Sequence, residues 1–334
     1  MKPKPKVVAA GYMPLDVVSA EDGLLSRNAG GTAANVAAIL AFLGWRSVLA
    51  GQSGSDYAGN ELVADLAAAG VVTDQVHQRA DMLTPRLVHE VLAGGHYFVY
   101  TCPTCHVRFP RSRPLTIEQA HICIAAHPSA TVFFFDRANP ATLTLAEHYR
   151  KHGSIVAYEP AGDGNTELQR RAIRLAHVVK RSDERVLVGP RGRTSRPVDD
   201  HLRIVTLGAQ GLELHRGDRC MAKLPAFPTV VADPGGAGDW TTAGFLHEAA
   251  RTGELSSGGA LEDALVFGQA LAALSCSVVG ARSLMRLTRR TIVRRANGVR
   301  AEGSLNREMR LPAQPPLDAP DDACPTCLMP LGVS

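Results

Sequence analysis

The sequence predicts an α/β fold, a three-layer α/β/α sandwich with a mostly parallel central sheet. Short apolar segments alternate with helix-compatible segments along most of the chain. Such alternation is typical of a parallel sheet covered by helices on both faces. The 334 residues, 45% hydrophobic and 20% charged, suit a globular protein with a sizeable core. Residues 76–101 depart from the pattern, because polar and apolar residues alternate there around Gly94 and Gly95, which predicts an antiparallel hairpin.

Each element of the sandwich follows from an apolar segment and its neighbours. The strands predicted for the central sheet are residues 7–13, 47–51, 131–136, 155–159, 177–180 and 203–207. The helices predicted between them are residues 32–43, 60–69, 141–152 and 166–175. Connections between parallel strands are almost always right-handed crossovers, so these helices should cover the sheet. A further short hairpin is predicted over residues 212–219.

The charge of the chain is mild and uneven. A formal net charge of +4 is too small to predict a nucleic-acid partner. Nine arginines lie between Arg282 and Arg310, which indicates either a solvated helix face or a contact with an acidic partner. An Arg- and Pro-rich extension is therefore predicted over residues 285–334. No signal peptide and no membrane-spanning run is expected, so we expect a cytoplasmic protein without a membrane partner.

A glycine-rich segment between Asp233 and Asp239 is the strongest functional signal. Residues 235–238 read Gly-Gly-Ala-Gly, and an apolar, helix-compatible segment follows. The turn lets backbone N–H groups converge, and the N-terminus of a helix adds a positive field, so phosphate oxygens can bind there. Asp239 in the first helical turn can accept a proton from an attacking hydroxyl. No Gly-x-x-x-x-Gly-Lys-Ser/Thr segment is present to bind phosphate instead.

A second glycine-rich segment lies near the N-terminus, and the functional interpretation depends on the two segments together. Residues 28–35 read Asn-Ala-Gly-Gly-Thr-Ala-Ala-Asn and lie about 200 residues before the first segment. The pair, in this order, resembles the signatures of the ribokinase-like (PfkB) carbohydrate kinases over residues 6–284. The resemblance implies ATP-dependent phosphorylation of a hydroxyl on a sugar or sugar-like molecule. It also implies that the hairpin around residues 76–101 is a β-lid over the substrate.

The resemblance assigns the catalytic and sugar-binding residues. Asp239 is the implied general base, and Gly236, Ala237 and Gly238 form the implied anion hole. The residues implied to contact the sugar are Asp16, Gly30, Gly31 and Asn35. A carboxylate can accept hydrogen bonds from two hydroxyls, which suits a polyol. Plain structural roles remain open here, a turn-stabilising carboxylate for Asp16 and an early helix residue for Asn35.

The nucleotide side of the cleft is assigned in the same way. Residues 206–211 read Thr-Leu-Gly-Ala-Gln-Gly and resemble the nucleotide segment of the family, which implies that Thr206, Gly208 and Gly211 bind ATP. Asp233 matches an aspartate that is associated with a monovalent cation in some members. Pro234 stands where the family usually has threonine, which leaves that cation uncertain.

One departure concerns Mg²⁺. The family commonly has a glutamate three residues after an asparagine or serine, associated with Mg²⁺ and phosphate. Here Ser182-Asp183-Glu184-Arg185 places arginine at that position. Either the charge reversal lowers activity, or Asp183 or Glu184 replaces the glutamate. A nucleoside kinase is the alternative enzyme, and a catalytically weak sugar- or nucleotide-binding regulatory protein is the alternative from another class.

The seven cysteines contain a separate signal. Cys102 and Cys105 enclose Pro-Thr, and so do Cys324 and Cys327. Paired Cys-Pro-x-Cys turns are typical of tetrahedral zinc sites, so a structural Zn²⁺ is expected, within one subunit or across a homodimer. Two independent redox or free pairs, or a disulfide tether, are the alternatives. The remaining three cysteines are expected in the core: Cys123, Cys220 and Cys276.

Overall fold

The structure is a computed structural model of the chain. It describes residues 3–20, 23–92, 95–160, 166–182, 201–252, 255, 258–305, 309–313 and 317–331. The strands are β1 Lys6–Ala10, β2 Leu15–Ala20, β3 Gly23–Ala29, β4 Arg46–Gly54, β5 Val71–Arg79, β6 Arg86–Leu92, β7 Gly95–Val99, β8 Val132–Phe135, β9 Ile155–Tyr158, β10 Val178–Ser182, β11 Leu202–Thr206, β12 Leu212–Arg216 and β13 Arg219–Leu224. The helices are α1 Thr32–Phe42, α2 Tyr57–Ala68, α3 Ile117–Ala126, α4 Pro140–Lys151, α5 Glu167–Leu175, α6 Ala237–Thr252, α7 Gly258–Cys276 and α8 Arg289–Glu302.

The larger sheet has the order β13-β12-β11-β10-β9-β8-β1-β4-β5. Neighbouring strands from β11 to β5 are parallel, whereas β12 and β13 form an antiparallel hairpin at one edge. All four residues of β8 are buried, as expected for a central strand covered on both faces. The mostly parallel sheet and the hairpin after β11 confirm the sequence prediction.

Helices cover both faces of this sheet and give the fold its three layers. Alternate residues of β1 contribute to different cores, because Val7 and Ala9 pack in one cluster and Val8 and Ala10 in the other. The first cluster contains residues of α1, α6, α7 and α8, and the second contains residues of α3, α4 and α5. The predicted α/β/α sandwich is therefore confirmed.

A second sheet has the order β3-β2-β6-β7, and we call it the lid because it contains the predicted lid hairpin. The antiparallel pair β6–β7 matches the predicted hairpin, although Gly94 in its turn lies outside the described residues. The predicted extent of the lid is wrong at its start, because residues 76–79 belong to β5 of the large sheet. An edge strand such as β5 has one solvated face and shows the same alternation as a lid strand. Strands β2 and β3 complete the lid and were not foreseen.

The C-terminal extension begins with a helix that packs on the core. Ile292, Ala296 and Val299 of α8 are buried, and most of its arginines face outward, as a solvated helix face requires. Arg282 is different, because it is buried and forms an ion pair with Asp65.

Helix α7 corrects one expectation about membrane-length segments. Its residues Gly259–Cys276 are long and apolar enough to cross a membrane, contrary to the expectation that no such run exists. The helix packs between α6 and α8, and 61% of this window is buried inside the protein. Such burial is the pattern of a core helix.

Candidate active site

The glycine-rich turn ends where α6 begins. Gly236 has a φ of 81°, and a Cβ atom there would lie 2.5 Å from the Cβ of Ala281. Only glycine satisfies both the left-handed backbone and the close contact. Helix α6 starts at Ala237, so Gly238 and Asp239 lie in its first turn, where backbone N–H groups lack intrahelical acceptors. These N–H groups and the positive helix end can bind an anion.

Asp239 meets the other glycine-rich segment directly. The Nδ2 of Asn35 donates a hydrogen bond to Oδ2 of Asp239 over 2.7 Å, although 204 residues separate them in sequence. Asn35 lies in the first turn of α1, and both side chains are buried. The structure thus brings together two residues that were assigned to the base and to the sugar.

Asp16 lies at the start of lid strand β2 and approaches the same place. A Cβ on Gly30 would lie 1.8 Å from the carboxyl carbon of Asp16, and the N–H of Gly31 donates to this carboxylate. Its Oδ1 is buried and has no hydrogen-bond partner among the described residues. Burial raises the pKa of Asp16 to about 7, Arg282 opposes the rise, and the nearby Asp239 adds to it. An unsatisfied buried acceptor of this kind suits a ligand hydroxyl.

The raised pKa of Asp16 predicts a pH-dependent stability. Between about pH 4 and pH 7 the folded protein holds a proton on Asp16 that the unfolded chain has released, so stability falls as pH rises through this window. We expect Asp16→Asn to be more stable than wild type at about pH 8 without substrate, and the advantage to vanish below about pH 4. Thermal unfolding across this range measures it. Asp218→Asn, at an exposed turn position, should leave the profile unchanged.

Asp136 lies beside the residues assigned to the sugar and was not foreseen from the sequence. It follows β8 directly, is buried, and accepts hydrogen bonds from the N–H groups of Tyr12 (3.0 Å) and Ala33 (3.3 Å). Burial raises the pKa of Asp136 above its usual value. The carboxylate joins the loop after β1 to the start of α1. Its position at the carboxyl end of a buried parallel strand is the signal that sequence analysis could have used.

Asp233 holds the glycine-rich turn in place. Its Oδ1 accepts from the N–H of Gly235 (2.7 Å), and its Oδ2 accepts from the N–H of Gly280 (2.8 Å). His89 of lid strand β6 places Nε2 3.4 Å from Asp233 Oδ1, so the lid contacts the turn. Burial lowers the pKa of His89, with Asp233 acting in the opposite direction. The geometry assigns Asp233 a turn-fixing role, and its cation role remains a prediction.

The nucleotide segment lies at the carboxyl end of β11. Thr206 ends this strand, and Gly208 begins a short 3-10 turn that Gly211 follows. Thr206 Oγ1 donates to the carbonyl of Arg181 at the end of the neighbouring β10. The segment thus lies on the β10–β11 side of the sheet, whereas Asp136 lies on the β1–β8 side. The residues assigned to the nucleotide and those assigned to the sugar therefore lie on two sides of the site, both at the carboxyl ends of the parallel strands.

A buried ion pair lies beneath the first turn of α6 and was also not foreseen. Lys180 of β10 pairs with Glu159, which follows β9, and both are almost fully buried. Thr242 Oγ1 donates to Glu159 Oε2 over 2.8 Å. The Nζ of Lys180 lies 3.3 Å from where a Cβ on Gly238 would be. An adjoining cavity of about 10 Å³ is too small for a sugar or nucleotide. The pair therefore joins the centre of the sheet to α6.

The Mg²⁺ prediction falls largely outside the described residues. Ser182 ends β10, but Asp183, Glu184 and Arg185 lie outside them. The proposed effect of Arg185 on Mg²⁺ therefore stays a prediction.

The two Cys-Pro-Thr-Cys segments lie together on the lid. The ligand atoms of Cys102, Cys105, Cys324 and Cys327 all lie within 4.8 Å of one another. Of the other cysteines, Cys123 is buried as predicted. Cys276 is partly buried. The prediction for Cys220 is wrong, because it is exposed on β13, an edge strand of the large sheet.

A three-layer α/β/α sandwich in which two glycine-rich segments meet at the start of α6 is the architecture of the ribokinase-like kinases. The sequence profile of the pfkB family carbohydrate kinases matches residues 4–287, and the chain belongs to this family. It is 25% identical over 305 residues to a fructokinase of Klebsiella pneumoniae, covering 84% of this chain and 96% of that one. It is 25% identical over 248 residues to a nucleoside kinase of Methanothermobacter thermautotrophicus, covering 71% and 76%.

Solved structures show the same fold. The aminoimidazole riboside kinase of Salmonella enterica, complexed with aminoimidazole riboside and an ATP analog, superimposes with a TM-score of 0.68 and 22% identity, covering 87% of this chain and 99% of that one. A fructokinase double mutant of Vibrio cholerae, with fructose, ADP and potassium ion bound, gives a TM-score of 0.69 and 21% identity, covering 86% and 97%. The family profile over residues 4–287 and the relatives named as fructokinases identify the chain as a carbohydrate kinase, and these structures add the shared fold.

Proposed function

We propose that the protein transfers the γ-phosphoryl group of ATP to a hydroxyl of a sugar, with Asp239 as the general base. The observation that carries the proposal is the convergence of Asp239, Asn35 and the unsatisfied Oδ1 of Asp16 at the start of α6. The carboxylate of Asp239 accepts the hydroxyl proton as the oxygen attacks phosphorus. The hydrogen bond from Asn35 fixes the orientation of this carboxylate.

Each remaining group has a role that follows from its position. Asp16 accepts hydrogen bonds from substrate hydroxyls that do not react. The N–H groups of residues 236–238 bind the charge that develops on the transferred phosphoryl group. Thr206, Gly208 and Gly211 hold the nucleotide at the carboxyl ends of β10 and β11. Bound Mg²⁺ neutralises phosphate charge when present, as in phosphoryl transfer generally.

A nucleoside kinase is the alternative, because relatives named as both fructokinase and nucleoside kinase resemble the chain to a similar degree. A thermal-shift screen with a non-hydrolysable ATP analogue distinguishes them. Fructose, ribose and other sugars should raise the melting temperature under our proposal, whereas shifts by nucleosides alone would favour the alternative. Stabilisation without phosphorylation of any hit would point to a catalytically weak binding protein.

Kinetics of two variants test the sugar side. We expect Asp16→Ala and Asn35→Ala to raise the KM for the sugar far more than the KM for ATP, because each removes a hydrogen-bonding group from the sugar side. The loss corresponds to about 1–3 kcal/mol, or roughly five- to 150-fold in KM. Asn35→Ala should also lower kcat, because it removes the hydrogen bond that orients Asp239. Equal increases in both KM values would show general destabilisation and contradict the assignment.

A further inference from the structure

The first Cys-Pro-Thr-Cys segment forms a tight turn after β7, which we call the first knuckle (residues 102–105). The N–H of Cys102 donates to the carbonyl of Val107 (3.0 Å), and the N–H of His106 donates back to the carbonyl of Cys102 (3.0 Å). The N–H of Thr104 points at Cys102 Sγ over 3.4 Å. His106 has a φ of 58°, in the left-handed region. The turn thus directs an N–H group at a sulfur.

The second segment (residues 324–327, the second knuckle) repeats this turn. The N–H of Cys324 donates to the carbonyl of Met329 (2.8 Å), and the N–H of Leu328 donates to the carbonyl of Cys324 (2.9 Å). Leu328 has a φ of 56°. Among the residues that the structure describes, His106 and Leu328 are the non-glycine residues with positive φ. That conformation costs about 1–2 kcal/mol. Each knuckle is therefore followed directly by a residue with the same strained backbone.

The two knuckles face each other in a way that fits one metal ion. The Sγ atoms of Cys102 and Cys324 are 3.8 Å apart, and those of Cys105 and Cys327 are 3.7 Å apart. Four sulfurs at about 2.3 Å from a tetrahedral Zn²⁺ lie about 3.8 Å from one another. A disulfide requires about 2.0 Å, so neither of these pairs is bonded. The cluster has the dimensions of a closed four-thiolate zinc site.

The cluster lies on the back of the lid, opposite the active site. Val17 and Val88 pack with the knuckle cysteines in one small hydrophobic core. Their strand neighbours Asp16 and His89 face the active site, because successive strand residues point to opposite faces. One sheet thus separates the thiols from the substrate groups. An ion bound there would support the lid without touching the substrate.

Two lid arginines hold the C-terminal segment (residues 317–331) at this place. Arg86 of β6 donates from Nε to the carbonyl of Cys327 (2.6 Å) and pairs with Asp56 (2.7 Å). Arg27 of β3 donates to the carbonyl of Pro325 (2.6 Å). Both guanidinium groups are buried, so these contacts are shielded from water. The lid is therefore built to hold the second knuckle.

We propose that Cys102, Cys105, Cys324 and Cys327 bind one Zn²⁺ within a single chain and that this ion fastens the C-terminal segment across the back of the lid. The thiols release their protons to solvent as the thiolates bind the metal. With four protein ligands the ion has no open position, so its function is structural.

Metal analysis of protein purified without added metal tests the proposal. We expect about one zinc per chain, falling to about zero in Cys105→Ser and Cys327→Ser. Cys276→Ser is the matched control, because this cysteine is in none of the candidate metal-ligand groups among the described residues, and the variant should keep its zinc. Absence of zinc with four thiols open to a thiol reagent would overturn the proposal, and so would iron in place of zinc.

A second measurement covers the case in which the variants fail to fold. Wild-type protein produced with Co²⁺ should show the absorption of a tetrahedral cobalt–thiolate site, at one cobalt for each chain. Zinc that persists after deletion of residues 321–334 would show that the second knuckle is not a ligand and would overturn the proposal. These readouts do not depend on kinase activity, so they stand apart from the proposed function.

Discussion

Asp239→Asn should lower kcat by about 10²–10⁴-fold, the usual effect of losing a positioned general base. The fold should survive, because the substituted side chain has the same shape and its carbonyl oxygen can still accept the hydrogen bond from Asn35. Binding of the nucleotide should change little, because the backbone N–H groups of the glycine-rich turn remain. Steady-state kinetics with the best substrate from the screen, together with a melting curve, measures both effects.

The control for this prediction is a carboxylate outside the site. Asp263 is exposed on α7, and Asp263→Asn should retain wild-type kcat. If Asp239→Asn keeps kcat within about twofold of wild type, Asp239 is not the base. A melting temperature far below that of the wild type would show that the kinetic loss comes from a damaged fold.

Lys180→Met should cost about 3–5 kcal/mol of unfolding free energy, because it leaves a buried carboxylate without its cation. Glu159 would keep the hydrogen bond from Thr242, but its charge would be uncompensated beneath the first turn of α6. Urea denaturation of the purified variant measures the loss. A cost below about 1 kcal/mol would contradict the view that this pair is closed to water.

Two further variants make the ion-pair prediction specific. The exposed pair of Lys223 and Glu213 (2.6 Å) is the matched control, and Lys223→Met should cost under about 1 kcal/mol. Replacing both buried partners, as Lys180→Met with Glu159→Leu, should recover much of the lost stability, because no unpaired charge remains. If the double variant is as unstable as Lys180→Met alone, packing rather than charge explains the effect.

The three layers of the fold were predictable from sequence, because the pattern of apolar residues along the chain indicates which segments are buried. Continuous apolar segments such as residues 132–135 predicted central strands, and the structure confirms them. The extent of the lid was less predictable, because β2 pairs in parallel with β6 across some 70 residues of sequence. The alternation in residues 76–79 indicates only one solvated face, which an edge strand and a lid strand share.

The parts of the candidate site that lie in glycine-rich segments were predictable from sequence. The single side chains that support those segments were not. Through the family resemblance, the two glycine-rich segments assigned Asn35 and Asp239 to one site, and in the structure these two side chains form a hydrogen bond. Asp136, Lys180 and His89 were missed, because each stands alone in sequence and gains its role only from strands that the fold brings together. The cysteine cluster, in contrast, was predictable from sequence, because two identical Cys-Pro-Thr-Cys segments indicated one shared site. The structure places the four cysteines together.

The contact between the two knuckles also sets an order of events during synthesis. Cys102 and Cys324 are 222 residues apart. At about 5–20 residues per second, the ribosome needs on the order of 10–40 s to reach the second knuckle after making the first. During that interval Val17, Val88 and Cys102 on the back of the lid lack the part of their cover that the C-terminal segment supplies. The nascent chain therefore has a partly exposed apolar surface with free thiols on this sheet until residues 324–327 have been made.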